Sequence, residues 1–153
     1  TNAGTYESID TPIRNYQRST AAHNAVMIDA KNSADVWTAH RVAQRANIVR
    51  REFSENAFYA EHDGYKLRIH GRKWEVSESR VKIEDTIVGN GECRIDVFYH
   101  LASGAKIDSV ENGLIKISVG NSAFEMRYSP QYKLAVSAGK YSPEFGKLLD
   151  SQT

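Results

Sequence analysis

"ENGLIKISVGN", residues 111–121, alternates between two turn signals. Ile115, Ile117 and Val119 fall on one side of it, Lys116 and Ser118 on the other. Successive side chains of a strand point to opposite faces, so this is the pattern of a half-buried β-strand. Asn112-Gly113, ahead of the run, tolerates positive φ and is the best hairpin signal in the chain. Gly120-Asn121, behind it, marks a second turn.

Outward from this stretch the same period recurs. In "ECRIDVFYHL" (92–101) Cys93, Ile95, Val97, Tyr99 and Leu101 alternate with Arg94, Asp96 and His100. "RVKIEDTIV" (80–88) sets Val81, Ile83 and Ile87 against Lys82, Glu84 and Thr86. "YKLRIHGR" (65–72) groups Tyr65, Leu67 and Ile69, and His62-Asp63-Gly64 reads as the turn ahead of it. Gly89-Asn90-Gly91 is a further turn, and the N-terminal stretch with Gly4 and Pro12 reads as irregular. Helical periodicity is nearly absent. Short strands punctuated at this spacing predict an all-β fold, a two-sheet antiparallel β-sandwich rather than a βαβ fold.

The 153 residues make one domain, 1–153, with no internal repeat or dividing linker. A hydrophobic share of 41% and a charged share of 25% belong to an ordinary globular chain. A formal charge of +1 argues against a dedicated nucleic-acid binder, although residues 14 to 51 are locally basic through Arg14, Arg18, Arg41, Arg45, Arg50 and Arg51. No apolar run approaches the roughly 20 residues of a membrane span. The single cysteine, Cys93, excludes an internal disulfide and is expected to be a buried, inert thiol. The chain starts at Thr1 without a signal-like segment and is expected to be part of a longer protein.

Several segments, in order, carry a resemblance: "NAGTYES" (2–8), "RNYQRSTAAHNAVMID" (14–29), "DVWTAHRVAQRA" (35–46), "AEHDGY" (60–65), "IEDTIVGNGE" (83–92) with "FYHL" (98–101), and "YSPEFG" (141–146). Together they resemble the C-terminal β-sandwich domain of heparinase II/III-like polysaccharide lyases, over nearly the whole chain. The resemblance implies an upstream α/α toroid as partner domain, an active site between toroid and sandwich, and a periplasmic or secreted location. The tyrosine serving as Brønsted acid or base would lie upstream of Thr1, so the isolated domain is expected to be inactive. The implied reaction is β-elimination on uronic-acid-containing anionic polysaccharides. The alternative is a non-catalytic glycan-binding or scaffolding module.

That chemistry asks for an acid and a base near neutral pH and for donors aimed at a carboxylate. His23, with its neighbour Asn24, is the best catalytic candidate, since an unperturbed imidazole titrates near pH 6.5. A structural hydrogen-bonding histidine and a loop-stapling asparagine are the competing readings. In several relatives the histidine matching His23 joins a zinc site, together with a histidine upstream and an aspartate at the place of Asn2. A neutral amide is a poor zinc ligand, so cofactors are none, or zinc in the full-length enzyme. Arg14, Tyr16 and Arg18 alternate; in an extended segment they would point one way and hold a sugar carboxylate or sulfate between guanidiniums, with the phenol stacked on the ring. Pairing of those arginines with Glu7 and Asp10 competes with this. His62 reads as a turn residue, His40, His70 and His100 fall outside any site, and Trp37 and Trp74 read as core or interface packing before sugar platforms.

Overall fold

The computed structural model describes residues 3–153. One helix, α1 (Pro12–Gln17), and a 3-10 turn, Thr20–Ala22, precede the first strand. Thr11 caps α1 by accepting the Arg14 N–H at 3.2 Å, and Pro12 opens its first turn, where a missing N–H costs nothing. Strands follow as β1 (Val26–Ile28), β2 (Asp35–Trp37), β3 (Arg41–Ala43), β4 (Ile48–Phe53), β5 (Ala57–Tyr65), β6 (Arg68–Val76) and β7 (Val81–Gly89). The chain continues through β8 (Ile95–Val97), β9 (Ala105–Glu111), β10 (Leu114–Val119), β11 (Ser122–Arg127), β12 (Ala138–Tyr141) and β13 (Leu149–Gln152).

All named pairings are antiparallel, in an all-β sandwich. A four-stranded sheet runs β4-β5-β6-β7, a three-stranded sheet β11-β10-β9, and β1-β8, β2-β3 and β12-β13 form pairs. The meander β9–β11 turns at both predicted places, with Gly113 at φ +84° and Gly120 at +57°, and buries Ile115 and Ile117.

The four-stranded sheet departs from expectation at its centre. His62-Asp63-Gly64 is not a turn; β5 runs through it to Tyr65, and the chain reverses at Lys66-Leu67. Leu67, expected on the apolar face, is 95% exposed with φ +67°. Two tertiary contacts explain this. The Asp63 carboxylate accepts the Asn47 backbone N–H at 2.7 Å, and Gly64 passes so close to the β2 approach that a Cβ there would lie 2.6 Å from the Ser33 carbonyl oxygen. Gly64 therefore serves close packing, not chain reversal.

The two faces of this sheet differ. Arg50 with Glu52, Lys73 with Glu75 and Lys82 with Glu84 pair along the solvated face. Register places Phe58, Trp74 and Ile83 side by side on the other face, followed by Ala60, Arg72 and Asp85, then by His62, His70 and Ile87. At its far end this second face meets the core, where Val26, Ile28 and Tyr65 are buried and Ile87 and Cys93 pack half-buried against them. Tyr65 also donates its hydroxyl to the Val26 carbonyl, fastening β5 to β1. Ile95 and Val97, paired to Ile28 and Val26, lie at the rim of this core and are partly exposed, so of 92–101 only Ile95–Val97 is strand. Trp37 is 54% exposed, not core.

Candidate functional site

His23 closes the 3-10 turn, donating its N–H to the Thr20 carbonyl at 3.2 Å. The small residues ahead of it let this turn bury itself: Ala22 is fully buried, and its carbonyl accepts the Ala3 N–H at 3.0 Å. Thr20 is tied twice more, its N–H to Asn32 Oδ1 at 2.8 Å and its hydroxyl oxygen to the Ser33 N–H at 2.9 Å. The Ala25 N–H then donates to the His23 carbonyl at 2.8 Å, a γ-turn that places Asn24 at its apex. The His23 imidazole is half-buried. Burial lowers its pKa below the ordinary histidine value, His100 lowers it further, and a hydrogen bond with the Gln17 backbone opposes the shift. The ring is thereby biased toward the neutral form, which can accept a proton.

Among the described residues, Asn24 is held from two directions. Its Oδ1 accepts the His100 N–H at 2.6 Å, and its carbonyl accepts from Arg72 Nη1 at 2.7 Å. His100, set outside any site by its spacing, is buried directly behind this turn; its Nε2 lies 2.8 Å from the Ala21 carbonyl and its Nδ1 2.8 Å from Thr153 Oγ1. Burial lowers the His100 pKa, with the Ala21 carbonyl opposing.

Arg14, Tyr16 and Arg18 do not point one way. Their segment is helical rather than extended, so residues four apart share a side and residues two apart diverge. Arg14 donates Nε to the Ala39 carbonyl at 3.2 Å and Nη1 to Thr5 Oγ1 at 3.3 Å, and Arg18 donates Nη1 to the Thr38 carbonyl. Both arginines thus hold the β2–β3 turn. Tyr16 departs with Ile13 and lines a groove of about 430 Å³ shared with Ala21, Phe98, Lys140 and Thr153. Tyr16 is 43% exposed there, and the burial it does have raises the pKa of its phenol.

A buried polar chain that spacing did not expose runs across the inner face of the four-stranded sheet. The Gly64 N–H donates to His62 Nδ1 at 3.1 Å; His62 Nε2 therefore carries the proton and donates to His70 Nδ1 at 3.0 Å. His70 Nε2 in turn donates to Asp85 Oδ1 at 2.7 Å. Arg72 grips the same carboxylate with Nε at 2.7 Å on Oδ1 and Nη2 at 2.9 Å on Oδ2. Burial pushes the Asp85 carboxyl upward, but the hydrogen bonds from His70 and Arg72 outweigh it and hold the group below its usual range. Burial, then His70, lowers the His62 pKa, with Asp63 opposing. The eight-residue interval between His62 and His70 is the one trace of this chain in the sequence, legible only once the reversal is placed at Lys66-Leu67.

The sequence model of the family described as heparinase II/III-like, C-terminal, matches residues 1–153. The chain belongs to that family. No curated protein and no solved structure matches it.

For a heparinase II/III-like C-terminal domain the zinc site of relatives has to be tested on the residues present. Among the described residues no three His, Cys, Asp or Glu side chains converge to hold a metal ion. Asn2 lies outside the described residues. His100, near His23, already has both ring nitrogens engaged with Ala21 and Thr153. The described residues alone do not assemble a zinc site at His23. Among the described residues no helix is long and apolar enough to cross a membrane.

Proposed function

We propose that this domain completes the catalytic cleft of a polysaccharide lyase that cleaves uronic-acid-containing anionic polysaccharides by β-elimination, with an upstream α/α toroid forming the opposite wall, in a periplasmic or secreted enzyme. The observation that carries this reading is the family match across all of residues 1–153. In β-elimination a base removes the C5 proton, the electron pair forms the C4–C5 double bond, and the 4-linked sugar oxygen leaves with a proton from an acid. A neutral imidazole at His23 suits proton transfer or a hydrogen bond to the sugar carboxylate. Asn24 serves by position, since its amide oxygen and its carbonyl both hold the turn. Tyr16 and Phe98 supply apolar surface for a pyranose ring, while Arg14 and Arg18, on another side of the helix, fix the Thr38–Ala39 turn.

The test is His23→Ala in the full-length enzyme, following the ultraviolet absorbance of the unsaturated uronate product over a panel of anionic polysaccharides. Turnover should fall by roughly 10²-fold or more while circular dichroism is unchanged. Turnover equal to that of the unmodified enzyme would remove His23 from the chemistry.

A second reading, a glycan-binding module that takes no part in bond breaking, draws on the Tyr16 groove alone. Titration of residues 1–153 with uronate-containing and neutral oligosaccharides separates the two. Uronate-selective binding, combined with a full-length enzyme indifferent to His23→Ala, would favour it.

A further inference from the structure

We infer that Arg72 and Asp85 are a positioning pair that sets the place of the His23 imidazole through the Asn24 carbonyl. This rests on the reading of His23 as a cleft residue; the geometry behind it does not. The His23 backbone is closed on both sides, its N–H on the Thr20 carbonyl and its carbonyl on the Ala25 N–H. Residues 23–25 therefore move as a unit, and what fixes Asn24 fixes His23. One tether is the His100 N–H on Asn24 Oδ1, from the segment after β8. A second is Arg72, 48 residues away in sequence, reaching from β6 to the Asn24 carbonyl at 2.7 Å.

Arg72 is 7% exposed, and a guanidinium is a rigid planar fork. With two nitrogens seated on Asp85, the direction of the third is dictated by the Asp85 carboxylate. That carboxylate is itself fixed from the opposite side by His70, and His70 by His62 and the Gly64 N–H. Each bond in the series depends on the one before it, so the orientation of the Asn24 turn is set by a chain that starts at Gly64. Buried ion pairs add little net stability over apolar residues of the same volume, and their better-attested use is to specify one arrangement. Here the arrangement specified is the turn that carries His23.

Two variants and one direct observation test this. Arg72→Lys keeps the charge but loses the fork, and Asp85→Asn keeps the shape but loses the carboxylate. In residues 1–153, the ring carbon–proton resonances of His23 should shift in both variants, with circular dichroism retained. In the full-length enzyme each variant should lower kcat by roughly 10- to 100-fold and leave KM within about twofold, as a displaced catalytic group does. In the unmodified chain, the Arg72 Nε–H and the His100 amide should exchange slowly with solvent. An unshifted His23 ring in either folded variant would overturn the inference whatever the activity. So would fast exchange of the Arg72 Nε–H in the unmodified chain, which settles the matter even if a variant fails to fold. A shifted ring in an enzyme with no lyase activity on any substrate would instead uphold the inference and sink the functional reading.

Discussion

Ile28 offers the sharpest test of where the core lies. It is 1% exposed and, with Val26, has the largest fully buried side chain among the described residues. It packs in the cluster with Val26 and Tyr65, against Ile87 and Cys93. Ile28→Ala removes three carbons, about 2.4 kcal/mol of transfer free energy at about 0.8 kcal/mol per buried group. The cavity left behind adds to this, and isoleucine-to-alanine changes in cores cost about 2–5 kcal/mol in total. Ile87 and Cys93 are only half-buried and can relax inward, so the cost should fall near about 3 kcal/mol. Leu67→Ala is the matched control: the side chain is 95% exposed, and its removal should change stability by less than about 0.5 kcal/mol. Alternation along 65–72 would have predicted a core position for Leu67, so the pair of variants decides between sequence pattern and structure. Urea denaturation followed by far-ultraviolet circular dichroism, with m held equal, measures both. A loss below about 1 kcal/mol for Ile28→Ala, or equal losses for the two, would refute this account of the core.

Three further outcomes are expected. His23, His62 and His100 all have folded pKa values below the ordinary 6.5. As the pH falls below that value the unfolded chain takes protons first, so the stability these residues confer is present above pH 6.5 and is lost toward their folded values. The unfolding free energy should drop with a slope of up to about 1.4 kcal/mol per pH unit for each histidine, and His62→Gln should remove one histidine's share; a flat profile between about pH 7 and 5 would contradict this. Gly64→Ala should destabilise by about 1–3 kcal/mol, because the new Cβ meets backbone at Ser33 that has no room to yield; an unchanged urea midpoint would mean that the two segments do not approach so closely. Tyr16→Ala should weaken uronate oligosaccharide binding several-fold by calorimetry with thermal stability unchanged, whereas Arg18→Ala should speed amide exchange in the Thr38–Ala39 turn; a larger affinity loss for Arg18→Ala would reverse these roles.

What the sequence disclosed follows the range of the forces involved. The meander from Ala105 to Arg127 was readable because period-two alternation and the glycines at 113 and 120 act within a few residues. Val81, Ile83 and Ile87 also fall together on one face of β7, as expected, but Asp85 lies among them, a carboxylate that pattern alone could not place. Its reason is Arg72 on the next strand, and only strand register reveals that pairing. The reversal at Lys66-Leu67 escaped for a related reason. Asp63 and Gly64 have turn chemistry locally, yet Asn47 and Ser33 engage them from elsewhere in the chain. In Arg14, Tyr16 and Arg18 the assumed extended backbone was the error, since Thr11-Pro12 starts a helix long before any strand.

The seam between the N-terminal segment and the sheets explains why the catalytic candidate sits where it does. Apolar contacts tolerate sliding, because burial is nearly indifferent to direction. At this seam polar groups are buried beside the apolar ones: Gln17, Thr20, His70, Arg72 and His100. Gln17 Oε1 accepts the Tyr6 N–H at 2.9 Å, Thr20 joins Asn32 and Ser33, and His100 and Arg72 converge on Asn24. Each bond fixes a direction as well as a distance, so together they hold the turn carrying His23 in one orientation. A buried polar group that loses its partner costs about 1–3 kcal/mol, so the alternatives to this arrangement are each penalised several times over. Gln17→Leu is the discriminating change. It adds apolar volume and should be tolerated if burial alone secures the seam. If directional bonding secures it, the Tyr6 amide should lose its protection from solvent exchange and the His23 ring resonances should broaden, while the β9–β11 meander stays unaffected.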